Sequence, residues 1–112
     1  MSLFSITTGS SYCSTTNGGW CVRTTNAPYG NHEACTVRAE QSLILSATSF
    51  ETEQSFDFVT VKGSLYSGVG VAAGPAAVNM NAGDTLTWAS DESGTGAGFV
   101  LCAAAPPSPP PL

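Results

Sequence analysis

No window of a dozen residues carries the apolar period of an amphipathic helix. Short runs of β-branched and aromatic residues recur instead at about every eight to twelve positions, separated by Gly, Ser, Asn and Pro. That spacing constrains the fold more than any other feature, because segments of this length bury one face only by packing as strands of stacked sheets. Strands are predicted at Phe4–Thr7, from Trp20 through Val22, and at Ala34–Arg38, Ser42–Ala47 and Phe56–Val61. Ala77–Met80 and Thr85–Ala89 read as a hairpin about the turn Asn81–Asp84, with Leu86 and Trp88 inward, and Gly98–Cys102 is the last strand. The residues around Cys13 and those from Gly63 to Gly74 read as turn and loop, and Ser90–Gly96 as a long polar loop. The expected class is all-β, a jelly-roll type β-sandwich of two antiparallel sheets.

The sandwich occupies residues 1–102 and a Pro-rich tail residues 103–112, in which five of ten residues are proline, so polyproline II is expected there. Such a tail serves as a semi-rigid linker or as a ligand for an aromatic groove, and its Ser108 and prolines are candidates for O-glycosylation. The N-terminus has no basic region followed by a long apolar run, so a domain of a longer secreted protein is expected. No stretch approaches the ~20 apolar residues of a membrane span.

Charge narrows the partners. Eight acids face three cations, Arg23, Arg38 and Lys62, which form no patch, and the net charge of −5 gives a phosphate backbone no electrostatic footing. Four cysteines, Cys13, Cys21, Cys35 and Cys102, lie far apart with a single histidine in the chain, which argues for two disulfides over a zinc site and hence for an extracellular setting. The acids gather in two places. Glu51, Glu53 and Asp57 stand at the entrance of the strand Phe56–Val61, and Asp91 and Glu92 lie in the S-D-E-S run from Ser90 to Ser93. With so few cations in the chain, a bound metal ion is the natural counter-charge.

Read in order, Cys13, the A-P-Y-G-N-x-E-x-C run from Ala27 to Cys35, F-E-T-E with F-D-F-V, Tyr66-Ser67-Gly68, Gly74-Pro75, S-D-x-S and G-F-V-L resemble the CUB domain, an extracellular β-sandwich module. The resemblance implies one calcium ion held by Glu53, Asp57 and Asp91, with Tyr29 supporting a ligand carboxylate. Calcium takes about six to eight oxygens, which carboxylates, loop carbonyls and water provide. It also implies the bridge Cys13–Cys35. The family's second bridge has no counterpart, since Gln54-Ser55-Phe56 stands where its first cysteine belongs, and Cys21–Cys102 is the expected replacement. Spacing alone leaves Cys13–Cys102 with Cys21–Cys35 open. Glu51 and Glu92 are expected to point to solvent and to offer negative surface to a partner.

No enzyme is expected. The one imidazole, His32, lies in a polar loop without a nucleophile elbow, and the acids sit among Ser, Thr and Gly rather than in the apolar setting that tunes a general acid. The first functional reading is a calcium-dependent interaction module for a protein with an exposed Lys or Arg. The second is a structural bead that self-associates into an extracellular matrix, cell wall or filament. The third is carbohydrate binding, which needs exposed aromatics; Trp20 is the best candidate, though its place in a strand reads as core.

Overall fold

The structure is a computed structural model that describes residues 2–104. Ten strands follow one another: β1 (Phe4–Thr8), β2 (Cys13–Thr16), β3 (Cys21–Thr24), β4 (Ala34–Ala39), β5 (Leu43–Glu51), β6 (Phe58–Val61), β7 (Ser64–Tyr66), β8 (Val78–Met80), β9 (Thr85–Ala89) and β10 (Gly98–Ala104). They form two five-stranded sheets, ordered β1-β4-β9-β6-β7 and β2-β3-β10-β5-β8, in which every pairing is antiparallel. The expected all-β sandwich is present. Among the described residues no helix is long and apolar enough to cross a membrane.

The core follows from alternation along the strands. In the first sheet Cys35, Trp88 and Val59 stand in one row across β4, β9 and β6, and Val37, Leu86 and Val61 in the next. All six are buried, facing Leu43, Leu45, Phe50, Phe99 and Leu101 of the other sheet in one cluster. Trp88 packs edge-on against Tyr29 at 4.8 Å between ring centroids and against Phe99 at 5.2 Å.

In β5 the alternation slips. The register against β10 shifts between Val100 and Leu101, so Thr48 has no partner, Thr48 and Ser49 are both exposed, and Phe50 returns to the core. This bulge carries β5 to Glu51, four residues past the Ala47 predicted from the sequence, where the pattern of period two breaks.

The expected hairpin at Asn81–Asp84 is not one. Strand β8 pairs with β5 in the second sheet and β9 with β4 and β6 in the first, so the turn is a corner between layers. Asn81 N donates to Asp84 Oδ2 at 2.8 Å, while Ala39 N donates to Asp84 O and Gly83 N to Ala39 O, each at 2.8 Å. These bonds stitch the turn to the end of β4, and burial of both Met80 and Leu86 requires the chain to change sheets between them.

Three smaller corrections concern composition. Cys13–Thr16, read as turn, is strand β2, paired residue for residue with β3; Ser64–Tyr66, read as loop, is the edge strand β7. Phe56 and Asp57 precede β6 instead of opening it, and Phe56 is exposed. Trp20, expected in a strand and in the core, caps a short 3-10 turn and is 42% exposed. Strand β10 runs to Ala104, pairing Ala103 and Ala104 with Leu45 and Ile44, so the first two residues assigned to the tail belong to a strand. The rest of the tail read at 103–112 lies outside the described residues.

Both expected disulfides are present, Cys13–Cys35 as the family resemblance implied and Cys21–Cys102 as the replacement for the family's second bridge. Cys13–Cys35 ties β2 to β4, one sheet to the other, and Cys21–Cys102 joins the neighbouring strands β3 and β10. No cysteine is free.

Candidate metal centre

Beyond β5 the chain makes a single turn. Asp57 N and Phe56 N donate to Glu53 O at 3.0 and 3.3 Å, which places the side chains of Glu53 and Asp57 on one side of that turn. Thr52 anchors it: its buried hydroxyl donates to Asp57 O and accepts from Gly68 N, both at 3.1 Å. Asp91 comes from the loop after β9, which β9 delivers beside this turn because β9 and β6 are paired neighbours.

Glu53, Asp57 and Asp91 each contribute a carboxylate oxygen to a set lying within 4.8 Å of one another. Among the described residues it is the one convergence of three His, Cys, Asp or Glu side chains. Asp57 is fully buried. Its Oδ1 accepts from Asp91 N at 2.8 Å and its Oδ2 from the Tyr29 hydroxyl at 2.6 Å, and that hydroxyl in turn accepts from Glu53 N at 2.9 Å. Tyr29 therefore touches two of the three acids.

The electrostatics are unbalanced. Among the described residues the ion pairs join Arg38 to Glu40 and Lys62 to Asp84, and none reaches the cluster. Burial and then repulsion from Asp91 and Asp57 raise the Glu53 carboxyl above its ordinary value. Burial, with the hydrogen bond to Asp57 next, pushes the Tyr29 phenol up, so it remains a donor. Glu53 Oε1 is buried without a hydrogen-bond partner. Gly94, at a φ of +85°, leaves the room for this carboxylate, since a Cβ there would overlap both Glu53 oxygens.

These residues fit a hard dication. The donor set is all oxygen, it holds uncompensated negative charge, and one of its oxygens is buried and orphaned. Glu53, Asp57 and Asp91 would hold the ion, and Tyr29 would fix the Asp57 carboxylate.

Of the other residues expected near the site, Glu51 and Glu92 are both exposed, and Glu51 Oε2 accepts from Ala97 N at 2.9 Å. His32 is exposed, and its backbone N–H donates to Asp91 O at 2.9 Å. Three polar residues escaped the sequence reading. Thr52 and Ser90 brace the two acid-bearing segments, and Glu33 is only 2% exposed. Nothing in composition marks a buried Glu; the one available hint was Trp88, whose indole N–H needs an acceptor inside the core. Comparison with protein-family models, with curated proteins and with solved structures finds no match to this chain.

Proposed function

We propose that this chain is a non-enzymatic, calcium-dependent protein-interaction module of CUB type that works outside the cell. The observation that carries the reading is the hydrogen-bond chain Glu53 N to Tyr29 hydroxyl to Asp57, which holds two carboxylates side by side with no cation of the protein between them. Such an arrangement is stable when an external cation supplies the missing charge. The resemblance named above points to the same three acids and the same tyrosine. Two disulfides support an oxidising, extracellular setting.

The ion orders the Glu53–Asp57 turn against the Asp91 loop. Three carboxylates and a dication leave residual negative charge, and Glu51 and Glu92 lie in the same two segments. The surface therefore suits an exposed Lys or Arg of a partner protein. The test is an amide-resolved titration, first with calcium and then with a lysine-bearing peptide. Calcium should shift the amides of Glu53, Asp57 and Asp91, and the peptide should shift the same region only when calcium is present. Peptide binding that ignores calcium, or calcium shifts scattered over the molecule, would refute the reading.

A further inference from the structure

We infer that Glu33 is a positioning residue for the Glu53–Asp57–Asp91 cluster: its buried carboxylate fixes the segment that carries Tyr29 and the Trp88 ring beside it, and its backbone ties that segment to the one that carries Asp91. The inference rests on the calcium reading above.

A buried carboxylate is costly unless its charge is met by hydrogen bonds or a cation. Glu33 is 2% exposed and, among the described residues, pairs with no cation. Its Oε2 accepts from Gly30 N at 2.7 Å and from Asn26 Nδ2 at 3.4 Å, and its Oε1 accepts from Trp88 Nε1 at 3.2 Å. Gly30 follows Tyr29 directly, and the Trp88 ring packs edge-on against the Tyr29 ring. The carboxylate therefore holds both the backbone beside Tyr29 and the ring against which Tyr29 rests.

The backbone of Glu33 grips the other side. Glu33 N donates to Ser90 Oγ at 2.8 Å, Ser90 N donates to Glu33 O at 2.9 Å, and Ser90 Oγ donates to Gly30 O at 2.7 Å. One residue further, His32 N donates to Asp91 O at 2.9 Å, and Asp91 N donates to Asp57 Oδ1 at 2.8 Å. A continuous set of hydrogen bonds thus runs from the Glu33 side chain through Gly30 and Ser90 to Asp91 and Asp57. This is the outer-shell arrangement that orients metal ligands without touching the metal, and its loss typically lowers affinity by about 10–100-fold.

The experiment measures calcium affinity by calorimetry, and in parallel the unfolding midpoint without calcium, for the wild type, Glu33→Gln, Ser90→Ala and Glu40→Gln. Gln at position 33 turns an amide N–H₂ toward a donor, either Trp88 Nε1 or Gly30 N. Ala at position 90 removes the two side-chain links, Glu33 N to Ser90 Oγ and Ser90 Oγ to Gly30 O, and leaves every charge in place. Both should weaken calcium binding by about 10–100-fold, with Glu40→Gln, a surface substitution away from the cluster, unchanged. The loss in Glu33→Gln should persist at high salt, where a remote charge effect is screened. Calcium affinity within about twofold of wild type in Ser90→Ala, with only the calcium-free midpoint lowered, would overturn the inference and leave Glu33 a structural residue. Should Glu33→Gln fail to fold, Ser90→Ala decides alone. A wild type that binds no calcium removes the calcium reading and this inference together, whereas a binding wild type with unaffected variants removes this inference only.

Discussion

Removing the Tyr29 hydroxyl takes away two contacts at once, the donor to Asp57 Oδ2 and the acceptor for Glu53 N. Tyr29→Phe is expected to cost about 1–3 kcal/mol of stability, because a buried carboxylate oxygen is left unpaired. It should also weaken calcium binding by about 10–100-fold, read by calorimetry. Gly94→Ala attacks the same site from the other side: the substituent meets the Glu53 carboxylate and a φ of +85° disfavours it, so calcium affinity and stability should both fall. The pH dependence has a defined sign. Glu53 is raised above its ordinary value of about 4.5, so the folded, calcium-free protein binds more protons than the unfolded chain between that value and its raised one. Through that window this group makes stability fall as pH rises and recover as pH drops. Calcium binding should release the proton, so calcium affinity falls on acidification through the same window, as calorimetry across pH would record. The acids themselves were legible as a pattern, since Glu53, Asp57 and Asp91 stand out in a chain with three cations. Glu33 was not, because its burial depends on a tryptophan 55 residues away.

At the scale of elements, strands with clean alternation could be read directly. Ala34–Arg38 and Thr85–Ala89 present Cys35, Val37, Leu86 and Trp88 to the core as their pattern implies. Failures occur where a local signal is missing or duplicated. Strand β2 is Cys-Ser-Thr-Thr, which resembles turn composition, and only its pairing with β3 and the bridge from Cys13 make it a strand. The bulge at Thr48 breaks the period of β5 by one residue, and the turn at Asn81–Asp84 has hairpin chemistry but joins two layers. Strand partners are set by tertiary contacts, which turn residues alone do not encode. The two bridges differ in the chain they close, with sequence separations of 81 for Cys21–Cys102 and 22 for Cys13–Cys35. In the loop-entropy account these restrict the unfolded chain by about 4.5 and about 3.4 kcal/mol. Denaturant unfolding of the paired Cys→Ala variants should therefore show the larger loss when Cys21–Cys102 is removed. In the core, Phe99→Ala should cost about 3–5 kcal/mol, since Phe99 packs against both Trp88 and Phe50.

Over the whole molecule, the sandwich joins two distant parts of the chain into one site. The Glu53–Asp57 turn leaves β5 in the second sheet and leads into β6 of the first, and the Asp91 loop leaves β9 beside it. Tyr29, in the loop before β4, bonds the turn through its hydroxyl and the loop after β9 through its backbone N–H, which donates to Gly96 O at 3.1 Å. A cation bound there links the sheet connection to the loop of a neighbouring strand, so it should stabilise the entire fold rather than one segment. The direct measurement is thermal unfolding against calcium concentration for the wild type, Asp57→Asn and Asp91→Asn. The midpoint of the wild type should climb as calcium passes through about 0.1–1 mM, the range of extracellular sites, while both variants stay flat. A wild-type midpoint that does not move at excess calcium, or an Asp57→Asn midpoint that climbs as steeply as the wild type's, would contradict a cation held by Glu53, Asp57 and Asp91.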